Sequence, residues 1–278
     1  MKWFLCIILL LVLFIIYMII EHMVIALRRQ AIHIPELPEK FDGMKILHIS
    51  DLHHREFGEN QRKITDKAAA LQPDIIVITG DLVSRDERDF SSVSVFCAEL
   101  AMIAPVYFSM GNHELDMPQS VQCEYLDMLR KAGVRVLLDE VDVVSQDGSD
   151  LAIAGASLDI SVYHGENFSY SSLNPYSASE LNDTIGVHER CTILLAHNPL
   201  IFDAYVSWGA ELVLSGHVHG GAVRLPFIGG LLSPERKFFP RYTKGLYNMG
   251  NSQLYVSAGL GKIRLFNPPE ICLLTLRR

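Results

Sequence analysis

From residue 44 to the C-terminus, short apolar runs alternate with amphipathic stretches, and this alternation restricts the fold more than any other feature of the chain. The predicted elements are a strand at residues 44–49, a helix at 60–71, a strand at 74–79, a helix at 92–103, a strand at 105–109 and a helix at 121–132. Such a strand–helix repeat predicts parallel strands lying side by side, with the helices covering the sheet.

The second half of this region predicts further strands with shorter connections. They lie at residues 134–138, 141–145, 151–154, 192–196, 211–214, 253–256 and 271–276, with a helix near 201–208. The first three are separated by turn residues such as QDGSD, which favours antiparallel pairing. Residues 160–190 are rich in Ser, Asn and Tyr and predict a long surface loop. We therefore expect an α/β protein with two packed mixed β-sheets and helices on the outside.

The N-terminus carries an apolar run without charge, WFLCIILLLVLFIIYMII at residues 3–20. A helix of this length spans roughly 27 Å, close to the ~30 Å hydrocarbon thickness of a bilayer. A cleaved signal peptide is the main alternative, but its apolar core normally covers about 7–15 residues and ends at a small-residue cleavage site. We expect an uncleaved transmembrane anchor over residues 1–27. Positive charges flank the anchor on both sides, Lys2 before it and Arg28 and Arg29 after it. The orientation of the anchor in the membrane therefore stays open.

The segment after the anchor is polar and contains Pro35 and Pro38. It predicts a linker over residues 28–43, followed by one domain at residues 44–278. A chain of 278 residues is long enough for one large domain with an ordinary core.

The charge and the cysteines exclude several classes of protein. The formal net charge is −8, which argues against a nucleic-acid-binding protein, because such proteins normally carry a basic face. It does not argue against a phosphate substrate if metal ions supply local positive charge. The five cysteines are scattered and form no C-x-x-C pair, so neither a disulfide framework nor a zinc finger is expected.

Five turns share one feature: each follows an apolar strand and carries side chains that bind metals. They are SDLHH with Asp51 and His53, TGDLV with Asp81, MGNHE with Asn112 and His113, LAHNP with His197, and SGHVHGG with His217 and His219. Ligands bind where the carboxyl ends of strands converge in α/β sheets.

Each fragment alone has an ordinary structural explanation. Asp51 and Asp81 could belong to solvated turns, Asn112 could cap a helix, and His197 on an apolar strand could be a hydrogen-bonded core histidine. His217 and His219 point to the same side of an extended chain, which already favours a metal. Five such turns in succession are not expected from chance placement.

The order D-x-H, G-D, G-N-H-E, H, G-H-x-H resembles the calcineurin-like metallophosphoesterases from residue 44 to the C-terminus. The segments GLYNMGNSQLYVSAGLG and NPPEICLLTL resemble a bacterial branch of membrane-associated phosphodiesterases of the YaeI and YkuE type, which also includes lipid-directed pyrophosphatases. The resemblance implies a four-layer αββα sandwich and a dinuclear metal site. It also implies a single-pass protein of the bacterial cell membrane, with a phosphoester substrate that is lipid-linked or part of the cell envelope.

The family pattern implies a role for each of these side chains. The first metal is held by Asp51, His53, Asp81 and His219, and the second by Asp81, Asn112, His197 and His217. Asp81 bridges the two ions, because an anionic bridge offsets repulsion between cations ~3.5–4 Å apart. Manganese is the first expectation from the family, and the mixed oxygen and nitrogen ligands also suit Fe, Zn, Co or Ni.

The expected reaction is hydrolysis of a phosphodiester or pyrophosphate bond by a metal-bridging hydroxide. His113 is expected to donate a proton to the leaving alkoxide, with Glu114 orienting it. The alternatives are a non-catalytic protein-binding scaffold of the same fold, a lipid enzyme similar to UDP-2,3-diacylglucosamine pyrophosphatase, and a dinuclear hydrolase of non-phosphate esters.

Overall fold

The computed structural model describes residues 2–164, 175–187, 189–221, 223–225, 228–232, 238–262 and 264–278. Its strands are β1 (Ala26–His33), β2 (Lys45–Ile49), β3 (Ile75–Thr79), β4 (Val106–Ser109), β5 (Val134–Val136), β6 (Glu140–Gln146), β7 (Ser149–Gly155), β8 (Thr192–Leu195), β9 (Leu212–Ser215), β10 (Arg224–Leu225), β11 (Gly229–Gly230), β12 (Gly245–Met249), β13 (Ser252–Val256) and β14 (Glu270–Arg277). Its helices are α1 (Lys2–Met23), α2 (Arg62–Leu71), α3 (Ser91–Ile103), α4 (Asn112–Leu115), α5 (Gln119–Lys131), α6 (Ala178–Thr184) and α7 (Phe202–Trp208).

The first sheet has six strands in the order β1-β14-β2-β3-β4-β5, and all neighbours are parallel except β14 and β2. The parallel set β2, β3 and β4 confirms the predicted strand–helix repeat. The expectation of antiparallel pairing at residues 134–138 is wrong, because β5 pairs in parallel with β4, placing Val134 beside Val106. Helix α5 is the crossover that returns the chain in the parallel direction.

The second sheet also has six strands, in the order β12-β13-β9-β8-β7-β6. Its four inner strands are parallel, and each edge strand forms an antiparallel hairpin with its neighbour. The hairpin of β6 and β7 turns at Asp147 and Gly148, which both have positive φ, at 49° and 81°. Such a two-residue turn matches the twist of the strands, so the antiparallel pairing predicted for residues 141–154 is confirmed.

Apolar side chains of both sheets interlock in the centre. Ile46 and Val77 of the first sheet pack in one fully buried cluster with Ile193 and Leu214 of the second. Helices α2, α3 and α5 cover the outer face of the first sheet, and α6 and α7 cover that of the second. The αββα sandwich is therefore confirmed. Of the loop predicted at 160–190, residues 165–174 and 188 lie outside the described residues, and α6 lies within the rest.

The linker predicted at residues 28–43 is wrong, because this segment belongs to the domain. All eight residues of β1 pair with β14. Ile32, Leu37 and Phe41 are at most 1% exposed. The strand escaped sequence analysis because it lies at the sheet edge, where exposed polar side chains such as Arg28 and Arg29 remove the apolar alternation.

We expect a fragment that begins at Ile34 to be much less stable than one that begins at Ile25. The shorter fragment loses β1, including the buried Ile32, and leaves β14 as an open edge. Lost burial and lost ladder bonds together amount to about 5 kcal/mol, or roughly 10–20 °C in melting temperature. Differential scanning fluorimetry of the two fragments measures the difference, and equal melting temperatures would contradict the assignment of β1 to the domain.

Helix α1 is the candidate membrane span, and its end contacts the domain. Residues Trp3–Met23 have a mean hydropathy of 3.2, and none of their most apolar window is buried. The Phe266 N–H donates to Glu21 Oε2 at 3.1 Å, and the ring of Tyr17 lies 5.5 Å from that of Phe266. The Arg55 guanidinium donates to the carbonyl of His22. The helix is thus joined to the loop around residue 266 and to the turn after β2.

Candidate metal centre

The candidate ligands lie at the carboxyl ends of strands from both sheets. Asp51 and His53 follow β2, Asp81 follows β3, Asn112 and His113 follow β4, His197 follows β8, and His217 and His219 follow β9. These strands are parallel within each sheet, so their ends meet at one edge of the sandwich. The structure therefore brings together residues from five turns that are distant in sequence.

Five of these side chains stand on strained backbone. Left-handed φ angles, between 51° and 68°, occur at Asp51, His53, Asp81, His217 and His219. Such a conformation costs a non-glycine residue of order 1 kcal/mol or more and persists mainly at functional sites. Two glycines make room for this arrangement, because a Cβ on Gly111 would lie 2.3 Å from Asp81 Oδ1 and one on Gly80 would lie 2.3 Å from the Gly111 nitrogen.

The ligand atoms form two groups that share one carboxylate. One group contains Asp51, His53, Asp81 and His219, and the other contains Asp81, His197 and His217. Within each group the atoms lie within 4.8 Å of one another. Asp81 Oδ2 is 3.8 Å from His53 Nε2 and 3.2 Å from His197 Nε2, so a single oxygen faces both groups.

Asn112 fits the second group by its position and its bonding. It lines a cavity of about 280 Å³ together with His53, Asp81, His113 and His217. Its side chain is buried, and its Oδ1 accepts no hydrogen bond from any described residue. A buried acceptor without a partner costs about 1–3 kcal/mol, and a divalent cation in this cavity would satisfy it. The donor set of carboxylate, amide and imidazole groups suits such a cation.

A hydrogen bond fixes the tautomer and the orientation of the His197 ring. Its Nδ1 lies 2.5 Å from the carbonyl oxygen of Thr79, which can only accept, so Nδ1 carries a proton. The opposite nitrogen, Nε2, then faces Asp81. A ligating histidine normally donates its other N–H in this way.

The charges in the centre favour a cation. Burial alone would raise the pKa of the Asp81 carboxyl, but the charge and hydrogen bond of His197 hold it well below its ordinary value. Burial lowers the pKa of His53 to about 3, against the opposite influence of Asp81, so this imidazole is neutral. Burial also acts on His197, but Asp81 and Asp51 outweigh it and raise the pKa to about 10. A cation that binds here must therefore displace the proton on Nε2 of His197, whereas the proton on Nδ1 stays hydrogen-bonded to the Thr79 carbonyl.

His113 lies in the cavity but outside both ligand groups. Its ring centroid is 4.5 Å from that of His53, and its backbone N–H donates to Asp81 Oδ1 at 2.8 Å. The backbone N–H of Arg85 donates to its Nδ1 at 3.3 Å, which leaves the proton on Nε2. Burial lowers the pKa of His113, although Asp81 acts in the opposite direction. His113 therefore presents an N–H donor, on Nε2, beside the candidate ligands.

The expectation that Glu114 orients His113 is wrong, because its carboxylate is committed to the backbone. Glu114 accepts hydrogen bonds from the N–H groups of Asp81 and Leu82, both at 2.8 Å, and of Gly111 at 2.9 Å. Burial and the nearby Asp81 raise the pKa of this carboxyl to about 7, against the effect of the backbone bonds. Glu114 therefore fixes the turns that carry Asp81 and Asn112. Nothing in the motif GNHE indicates these bonds.

We expect Glu114→Ala to destabilise the domain strongly. The substitution leaves four buried N–H groups without this acceptor, those of Asp81, Leu82, Gly111 and, at 3.4 Å, Val83. Each costs about 1–3 kcal/mol, so the free energy of unfolding should fall by at least about 4 kcal/mol. Denaturant unfolding measures this change. Glu124→Ala on the exposed side of α5 is the matched control and should be nearly neutral. If Glu114→Ala proved as stable as the control, Glu114 could not be the residue that fixes the turns of Asp81 and Asn112.

Two residues that line the cavity, Ser84 and Lys262, were not predicted from the sequence. Lys262 follows the segment AGLG and is exposed at the rim. A Cβ on the neighbouring Gly261 would lie 3.2 Å from the rings of His219 and His53, so this turn runs directly past these candidate ligands. A lysine in that position supplies positive charge for an anionic substrate.

Comparison with known proteins agrees with this site. Residues 44–221 match the family described as calcineurin-like phosphoesterase. Phosphodiesterase YaeI of Escherichia coli (strain K12) is 30% identical, over 84% of this chain and 82% of the relative. The uncharacterized metallophosphoesterase YkuE of Bacillus subtilis (strain 168) is 30% identical, over 87% of this chain and 82% of the relative. UDP-2,3-diacylglucosamine pyrophosphatase LpxG of Chlamydia muridarum is 25% identical, over 86% of both chains.

A solved structure supports the fold. The crystal structure of TT1561 of Thermus thermophilus superposes with a TM-score of 0.51 at 16% identity, covering 78% of this chain and 90% of the other. The sequence relatives include phosphodiesterase and pyrophosphatase enzymes, so the chain is a metal-dependent phosphoester hydrolase. It belongs to the calcineurin-like phosphoesterase family.

Proposed function

We propose that the chain hydrolyses phosphodiester or pyrophosphate bonds at a pair of divalent cations. The observation that supports this most is the shared position of Asp81, whose Oδ2 faces both groups of ligand atoms. The proposed ligands are Asp51, His53, Asp81 and His219 for one ion, and Asp81, Asn112, His197 and His217 for the other. Manganese is the proposed metal.

When bound, the two ions supply charge for the phosphoryl oxygens and a water nucleophile at neutral pH. The chain supplies the remaining groups. His113 holds an N–H in the cavity. In its imidazolium form it donates a proton to the leaving alkoxide and returns to the neutral imidazole, a role worth about 10²–10⁴ in rate. Lys262 at the rim attracts the anionic substrate, and Glu114 holds the turn of Asp81.

The substrate we propose is a phosphoester of the bacterial envelope, carried on a lipid. Two observations support this choice. Helix α1 is long and apolar enough to cross a bilayer, and its end contacts Phe266 in the loop that also carries Lys262. In addition, LpxG is named for a diacylated nucleotide sugar. The proposal therefore includes α1 as an uncleaved single-pass anchor that keeps the cavity near the bilayer.

Hydrolysis of bis(p-nitrophenyl) phosphate by the full chain with Mn²⁺ tests the reaction. We expect Mn²⁺-dependent release of p-nitrophenol, and no comparable activity on the carboxyl ester p-nitrophenyl acetate. Equal activity on both esters would favour a general dinuclear hydrolase. Absence of activity on all phosphoesters, with metal bound, would favour a protein-binding scaffold. UDP-2,3-diacylglucosamine in mixed micelles then tests the lipid substrate separately.

A further inference from the structure

A basic pocket lies beside the end of α1, separate from the metal centre. It has a volume of about 360 Å³, and its lining includes Arg28 and Arg29 of β1, Arg224 of β10, Lys244 and the ring of Phe266. No candidate metal ligand lines it. The pocket is therefore a second site with its own chemistry.

The pocket carries an excess of positive charge. Four basic residues line the pocket, and two of them contact a carboxylate: the fully buried Glu270 lies 3.2 Å from Arg28 Nε and 2.5 Å from Lys244 Nζ. With Glu21 at the Phe266 N–H counted as well, four cations face two anions, which leaves a net charge of about +2. Among the described residues, no carboxylate pairs with Arg29 or with Arg224. Uncompensated charge of this size in a concave site attracts an anion.

The position of the pocket indicates where that anion comes from. Phe266, which forms part of its wall, lies 5.5 Å from Tyr17 of α1, measured between ring centroids. Its backbone N–H donates to Glu21 of the same helix. Arg28 and Arg29 follow the last residue of α1, Met23, within a few positions. The pocket thus adjoins the helix at the point where the chain leaves the apolar span.

We propose that this pocket binds the phosphate headgroup of an anionic glycerophospholipid from the bilayer that holds α1. The guanidinium groups of Arg29 and Arg224 receive the phosphate, and the partly exposed ring of Phe266 contacts the apolar part of the lipid. A free phosphate ion would make no use of that apolar wall. Basic clusters directly beside a membrane helix attract anionic lipids in this way.

A headgroup bound here would fix the catalytic domain on the membrane surface. Asn267 connects the pocket to the metal centre, because its side chain donates to the His219 carbonyl at 2.5 Å and accepts from Lys244 at 3.3 Å. A lipid bound in this pocket would therefore lie next to the turn that carries His219. This inference rests on the anchor proposed above, but not on the proposed reaction.

Calorimetric titration of the full chain in an uncharged detergent tests the pocket without any catalysis. The ligands are dihexanoyl phosphatidylglycerol, dihexanoyl phosphatidylcholine, glycerol phosphate and inorganic phosphate. The test variant is R29Q/R224Q, which leaves the buried Glu270 with both of its partners. R29K/R224K keeps the charge, and K63Q/K67Q removes the same charge from the exposed side of α2.

We expect the native chain to bind phosphatidylglycerol and to prefer it clearly over the other three ligands. R29Q/R224Q should weaken this binding about 25-fold, because each basic side chain near an anionic lipid contributes about 1 kcal/mol, or about fivefold. R29K/R224K and K63Q/K67Q should bind within a few-fold of the native chain. Equal binding by R29Q/R224Q and K63Q/K67Q would overturn the site. Equal affinity for phosphatidylglycerol and inorganic phosphate would overturn the lipid as its source.

Discussion

Asp81→Asn is expected to lower Mn²⁺-dependent phosphodiester hydrolysis by roughly 10³-fold or more. The substitution preserves the size of the side chain but removes the negative charge that faces both ligand groups. Stabilisation of transition-state charge by metal ions is worth several kcal/mol, and each 1.4 kcal/mol is a factor of ten. Metal content, measured by mass spectrometry after dialysis, should fall below the two ions per chain that we propose.

The control for this substitution is Asp86→Asn. Asp86 follows the same strand, but its side chain is 77% exposed and pairs with the imidazole of His54. It should retain full metal content and rate. If Asp81→Asn retained both as well, while keeping its fold by circular dichroism, the shared carboxylate could not be the bridge.

His113→Gln is expected to lower the turnover number by about 10²–10⁴-fold while leaving the metal content unchanged. His113 lies in the cavity with an N–H to donate but outside both ligand groups. The loss should depend on the leaving group, since p-nitrophenolate departs without a proton and an alkyl alkoxide does not. We therefore expect a small effect on p-nitrophenyl esters and the full effect on alkyl diesters, both measured as initial rates at saturating substrate.

His54→Gln provides the matched comparison. His54 adjoins His53 in sequence, but its side chain is 46% exposed and its partners are Asp86 and Glu87. It should behave as the native chain on both classes of ester. Equal losses on p-nitrophenyl and alkyl esters in His113→Gln would show that His113 acts on the metals or the fold and does not donate the proton.

The clustering of the candidate ligands was predictable because parallel strands place their carboxyl ends together. Once β2, β3 and β4 were identified from their apolar runs, the residues after them had to meet at one edge. Asp51 and Asp81 then had to be neighbours, whatever the structure of the intervening helix. The same reasoning placed His197 and His217 after β8 and β9 of the second sheet. Their convergence with the first set follows from the packing of the two sheets.

The edge strand β1 and the hydrogen bonds from backbone N–H groups to Glu114 were not predictable in this way. Strand β1 is polar because only one of its residues, Ile32, is buried, so its sequence resembles that of a linker. Its pairing with β14, more than two hundred residues away, depends on the completed sheet. Glu114 poses a different difficulty, since the four partners of its carboxylate are backbone N–H groups, which have no sequence signature.

The basic pocket illustrates the same limit at the surface. Arg28 and Arg29 were visible only as charges flanking an apolar run, and Arg224 and Lys244 lie about two hundred residues further along the chain. The parallel pairing of β1 with β14 brings Arg28 next to Glu270, and Glu270 in turn holds Lys244. Because β1 was predicted to be a linker, the basic pocket that it helps to form could not be predicted from the sequence.

Electron paramagnetic resonance of the Mn²⁺-loaded chain tests the shared carboxylate most directly. Two manganese ions joined through Asp81 are expected to give the spectrum of an exchange-coupled pair at two ions per chain, and Asp81→Asn should abolish the coupling. A spectrum of isolated Mn²⁺ at full loading, or saturation at one ion per chain, would contradict the dinuclear centre.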